Sequence, residues 1–134
     1  MTAKIIYKGL LRTEATHVAS DTTIVTDAPV DNHGLGTTFS PTDMLVSSLA
    51  SCMLTIMGIK AQDKEWNLKD SYIEATKIMA DNPRRVGEIH LNVFIKSEQE
   101  LSTSDKKILE NAGNTCPVLK SIHPDIVLKI NYNF

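Results

Sequence analysis

Cys52 and Cys116 are the two cysteines of this 134-residue chain, and each sits in a stretch that says something about its sulfur. Cys52 lies within SPTDMLVSSLASCMLTIMGIK, a helix signal almost free of charge, whereas Cys116 is followed at once by Pro117 in NTCPVLKSIHP. Proline suits the first position inside a helix, so Cys116 reads as an N-cap sulfur with a new helical start at Pro117. The unpaired amides of such a start favour a thiolate, the nucleophilic form of the side chain. Both sulfurs are thus placed for thiol chemistry. In a reducing compartment two cysteines are free thiols or a redox pair more readily than a structural bridge, and their spacing alone leaves that choice open.

The elements that must carry these sulfurs follow from the pattern around them. Residues 4–18 alternate loosely and carry β-formers, and residues 22–26, Thr-Thr-Ile-Val-Thr, are strongly β-branched. The pattern predicts two strands joined near Ala19-Ser20-Asp21 as a hairpin. Residues 27–38 collect Asp, Pro, Asn and Gly and read as a loop, with Gly34-Leu35-Gly36 a turn and not a phosphate fingerprint. Ser40-Pro41-Thr42-Asp43 then supplies a cap hydroxyl, a proline at the first helical position and an acid at the third. Leu45, Ser48, Leu49, Cys52, Ile56 and Ile59 fall on one face of the resulting helix, while Met44, Leu54 and Met57 make other faces apolar. A helix of this kind needs cover nearly all round, and Ser47, Ser48, Ala50 and Ser51 let another backbone come close. In so short a chain the cover points to a second subunit, hence a homodimer. Residues 68–80 and 88–97 predict two long antiparallel strands about a turn at 81–85. Ser102-Thr103-Ser104-Asp105 opens a second helix reaching about Asn114, Pro117 restarts it, and residues 126–132 close the chain as a strand.

Length and composition bound the function. The chain suits a single domain, residues 1–134. Its 14 basic and 16 acidic residues form no basic patch, which argues against a nucleic-acid partner. The N-terminal residues lack a secretory pattern, so a cytoplasmic location is expected by default. The longest uncharged run, 44–59, falls short of the roughly 20 apolar residues that span a bilayer, and no membrane association is expected. His17, His33, His90 and His123 lie in different segments without a cysteine at ligand spacing, so neither a metal nor another cofactor is expected.

The order of elements, together with Phe39-Ser40-Pro41-Thr42-Asp43-Met44-Leu45 leading into Ala50-Ser51-Cys52 and with Cys116-Pro117 near the C-terminus, resembles the OsmC/Ohr family of osmotically inducible and organic-hydroperoxide-resistance proteins. The resemblance covers nearly the whole chain. It implies an α+β, OsmC-like fold: an intertwined homodimer with antiparallel sheets around two central cysteine-bearing helices. It implies a thiol-dependent peroxidase reducing a small organic hydroperoxide, with Cys52 peroxidatic, Cys116 resolving, and a dithiol reductant restoring both. It further implies an arginine from the first strands, matched by Arg12, that stabilises the thiolate and the leaving alkoxide. In the family that arginine is held by a glutamate just after the helix-initiating proline. Here the position carries Thr42, with the shorter and differently aimed Asp43 one residue later. The departure points to an OsmC-like branch with weaker or different chemistry. A different class is a binding module, in which the same interface cavity holds an apolar small molecule, and a third is a stress protein without turnover.

Overall fold

The computed structural model describes all residues 1–134. Their contacts group into two compact units, residues 1–45 and 46–134, with the first long helix starting in one and continuing through the other.

The first unit is a three-stranded antiparallel sheet, β1 (Ala3–Gly9), β2 (Arg12–His17) and β3 (Thr23–Asp27), in the order β1-β2-β3, followed by a short 3-10 turn at Val30–Asn32. The stretch 4–18, expected as one strand, is therefore itself a hairpin. Its reversal sits at Leu10 and Leu11, both at positive φ (52° and 61°), beside Gly9 at 85°. Two-residue hairpin loops of this hand normally use Asn or Gly, and a leucine pair carries no such signal, so the turn was hidden. The consequence is a register: Arg12 lies directly across from Asp27.

The second unit holds most of α1 (Pro41–Asp63), then β4 (Tyr72–Ala80), β5 (Arg85–Phe94), α2 (Thr103–Gly113), α3 (Pro117–Ser121) and β6 (Val127–Asn133). β4 and β5 form the expected antiparallel pair, with a bulge where the register shifts after Ile78. The sheet order is β4-β5-β6, and here the expectation of purely antiparallel sheets is corrected, because β6 runs parallel to β5. The physical reason is the connection. Two helices lie between the strands, and they return the chain to the starting end of β5, as a parallel crossover requires.

Alternate residues of β5, namely Ile89, Leu91 and Val93, are fully buried, the period-two pattern of a strand with one face on a core. Met57 of α1 and Leu109 of α2 join Val93, Ile95 and Leu101 in one cluster, flanked by Trp66, Leu68, Ile73, Ile130 and Tyr132. Burying each such large side chain stabilises the fold by about 1.5–3 kcal/mol. Gly113 permits the close approach of α2, since a Cβ there would stand 3.2 Å from the Met57 sulfur and 3.3 Å from the Tyr132 hydroxyl oxygen.

The buried stripe of α1 is Val46, Leu49, Ala50, Met53, Met57 and Ala61, not the face that ends at Ile59, which is 52% exposed. A helix apolar on nearly every side gives periodicity little to discriminate, so tertiary packing chose the face. At 23 residues the helix is also long and apolar enough, by length and composition, to cross a membrane, unlike the shorter run read from the sequence. Leu49, Met53 and Met57 are nonetheless fully buried within the chain.

Candidate active site

Both sulfurs belong to the second unit, and the fold brings them together. Cys52 projects from α1 and is partly exposed, while Cys116 is fully buried; neither is in a disulfide. Cys116 is the N-cap of α3, with Pro117 at the first helical position as the sequence indicated, and its Sγ accepts the Leu119 N–H at 3.3 Å. At Cys116 the pull of the helix start toward a thiolate meets opposing effects. Burial pushes the Cys116 thiol up, and Cys52, as its hydrogen-bonding and charge neighbour, pushes it further, against the opposing pull of the Leu119 and Val118 amides. Two amides at the start of a five-residue helix do not outweigh desolvation. The pair is thus one partly exposed sulfur and one buried sulfur that are hydrogen-bonding and charge neighbours.

Arg12 and Asp43 belong to the first unit. Asp43 completes the helix start: Ser40 Oγ accepts the Asp43 N–H at 3.1 Å, and Asp43 Oδ2 accepts the Ser40 N–H at 2.7 Å. This is a reciprocal capping box, and the boundary read from Ser40-Pro41-Thr42-Asp43 is the observed one.

The acid that grips Arg12 is Asp27. Arg12 Nε donates to Asp27 Oδ1 at 2.7 Å and Nη2 donates to Oδ2 at 2.9 Å, the two-pronged geometry in which guanidinium and carboxylate match best. Thr37 closes the group. Its Oγ1 accepts from Arg12 Nη2 at 2.8 Å and donates to Asp27 Oδ2, and its N–H donates to the same oxygen at 3.1 Å. Asp27 is 1% exposed, so this carboxylate has exchanged water for four protein donors. The loop that delivers Thr37 is tightly folded: a Cβ at Gly34 would fall 1.7 Å from the Ala28 carbonyl oxygen, closer than any atom can stand. Neither Asp27 nor Thr37 was singled out from the sequence. Asp27 read as a loop opener, and the register that sets it opposite Arg12 depends on the concealed Leu10-Leu11 turn.

This clamp has a pH signature. The Arg12 hydrogen bonds first, then those from Thr37, hold the Asp27 carboxyl well below the usual carboxylate range, against the contrary effect of burial. A carboxyl depressed in the folded state stabilises fully above its unfolded pKa, about 4, and loses that contribution as pH falls toward the folded value. Asp27→Asn should therefore show a flatter decline of the thermal midpoint than wild type between about pH 4 and pH 2.5. Glu88 is likewise lowered, by Lys129 and then His90, and adds a slope of the same sign to both proteins. The difference isolates Asp27, and parallel declines would contradict the clamp. No group of three His, Cys, Asp or Glu side chains converges to hold a metal ion.

With this geometry in place, the comparisons with known proteins are specific. Residues 34–131 match the family model described as OsmC-like protein. A crystal structure of a protein from Psychrobacter arcticus 273-4, titled for the osmotic stress induced and detoxification response, is 53% identical, with a TM-score of 0.94 over 99% of this chain and 96% of that one. An OsmC-like protein of unknown function from Vibrio cholerae shares 14% identity, with a TM-score of 0.80 over 96% of each chain. An organic hydroperoxide resistance protein from Elizabethkingia anophelis shares 12%, with a TM-score of 0.74 over 99% of this chain and 96% of that one. Among curated proteins none matches. The chain belongs to the OsmC-like family, with the α+β fold of that family.

Proposed function

We propose that the protein is a thiol-dependent peroxidase that reduces organic hydroperoxides. The observation that carries this reading is the contact between a partly exposed Cys52 and a fully buried Cys116. The family's association with redox stress supports it. In the proposed cycle the Cys52 thiolate attacks the terminal oxygen of ROOH. The O–O bond breaks, the alkoxide leaves and takes up a proton as ROH, and Cys52 becomes a sulfenic acid. Cys116 gives up its proton and attacks the Cys52 sulfur; an S–S bond forms and the hydroxyl leaves as water. An external dithiol then reduces the disulfide by exchange and is itself oxidised. The buried Cys116, its thiol pushed up by that burial, suits the second role, since an enclosed sulfur is kept from the peroxide. Arg12 is proposed to stabilise the Cys52 thiolate and the departing alkoxide, a role that rests on the family resemblance.

The working form is proposed to be a homodimer in the cytoplasm. Ile5, Tyr7 and Ile24 of the first sheet and Ile59 of α1 stand exposed on the single chain, as surfaces that a second copy covers. The direct test is turnover. Purified protein with cumene hydroperoxide and dithiothreitol is expected to consume many equivalents of peroxide per chain, and consumption no faster than that of the dithiol alone would refute the reading.

A further inference from the structure

The end of α1 and the loop that follows it line a cavity of about 310 Å³ within the second unit, and neither cysteine is among its lining residues. Its walls are fixed by hydrogen bonds. The turn after α1 closes as the Trp66 N–H donates to Ala61 O at 2.9 Å. The loop is pinned as the Asn67 N–H donates to Gln99 Oε1 at 3.0 Å and Ser71 Oγ donates to Lys96 O at 3.2 Å. Leu54, Met57 and Ala61 make the apolar side, and Trp66, packed against the core cluster, adds an aromatic wall.

Gly58 also lines the cavity, from the interior of α1, where glycine is the poorest helix former after proline. Packing within the chain does not ask for it. A Cβ at Gly58 would meet nothing within 4 Å, whereas one at Gly113 would stand 3.2 Å from the Met57 sulfur. Bare helix backbone beside an open space suits the close approach of a flat molecule. The charge here has one sign: Lys69 is in the lining and no acidic residue is. The Lys69 ammonium and the Trp66 indole N–H have no acceptor within the chain, so both donors are left for an anion. The volume lies at the low end of the roughly 300–1,000 Å³ of small-molecule pockets, which suits a compound of one or two rings. We infer that this cavity is a binding site for a small, flat aromatic carboxylate, its ring against Trp66 and the bare backbone of Gly58 and its anionic end at Lys69. The site is separate from the cysteine pair and does not rest on the peroxidase reading.

Trp66 is the chain's one tryptophan, so its indole N–H gives a single resonance of its kind in the proton–nitrogen NMR spectrum of the isotope-labelled protein. Benzoate is titrated to about 20 mM while that resonance is followed, with uncharged benzamide as the comparator. Benzoate is expected to shift the resonance saturably, and benzamide to bind about fivefold more weakly, the loss of one ion pair at a cavity rim. Lys69→Gln should weaken benzoate about fivefold and leave benzamide unchanged. Gly58→Ala should stay folded, raise the thermal midpoint and weaken both probes about threefold or more, because its methyl group enters the cavity without meeting the protein. Gly58→Leu, scored on protein shown folded by its melting transition, should abolish both. No saturable shift, equal affinity for the two probes, or unchanged binding of benzoate by Lys69→Gln or of either probe by folded Gly58→Leu would overturn the proposal. So would a Trp66 resonance that moves on dilution of the protein alone, since a second copy of the chain would then fill the cavity.

Discussion

Cys52→Ser is expected to abolish hydroperoxide turnover, lowering the rate by at least about a thousandfold, because it removes the atom proposed to form the covalent intermediate. Cys116→Ser is expected to behave differently. It retains the attacking sulfur, so one equivalent of peroxide is consumed per chain and the reaction then stops, with Cys52 accumulating as a sulfenic acid or its over-oxidised products. The asymmetry follows from burial: Cys116 has no exposed surface from which to meet a hydroperoxide, whereas Cys52 does. Stopped-assay peroxide counts and intact mass distinguish the two variants. Equal residual turnover in both, or a full single turnover by Cys52→Ser, would reverse the assignment of roles.

Leu109→Ala is expected to cost about 2–5 kcal/mol of stability, a large share of the roughly 5–15 kcal/mol that holds a domain together. Leu109 is fully buried and shares one cluster with Met57 of α1 and Val93 of β5, so its truncation leaves a cavity among side chains that are themselves fully buried. Its loss also bears on the chemistry, since α2 ends at Gly113 and its C-terminal turn accepts the Cys116 N–H, from Gly113 O at 3.2 Å. Urea unfolding measures the effect, with Leu109→Met as the volume-conserving control at less than about 1.5 kcal/mol. A loss below about 1 kcal/mol for the alanine variant would mean that this cluster is not the centre of the second unit's core.

Much of this was legible in the residues, and the exceptions have physical causes. The start of α1 was plain because a cap hydroxyl, proline and acid at fixed offsets all describe one backbone geometry, and the observed capping box uses both Ser40 and Asp43. Cys116-Pro117 was plain for the same reason. The face of α1 was not, because a helix with apolar residues on nearly every side leaves the choice to packing, and the fold took Leu49, Met53 and Met57 while leaving Ile59 out. The direction of β6 was hidden because alternation marks a strand without saying which way it runs; only the helical crossover between β5 and β6 decides that. The carboxylate of the Arg12 clamp was hidden by a reversal made of two leucines in the left-handed region, a conformation that sequence composition argues against. Once that turn is in place, the Arg12 to Asp27 pairing follows from register alone.

The central claim is that Cys52 and Cys116 form one reaction unit in which an oxidised Cys52 is captured by its buried neighbour. It is tested most directly by treating the reduced wild-type protein with one equivalent of cumene hydroperoxide and mapping the thiols by peptide mass spectrometry under non-reducing conditions. A single Cys52–Cys116 cross-linked peptide within one chain, lost on adding dithiothreitol, is the predicted result. Two free thiols with the peroxide unconsumed, or cross-links only between chains, would contradict it.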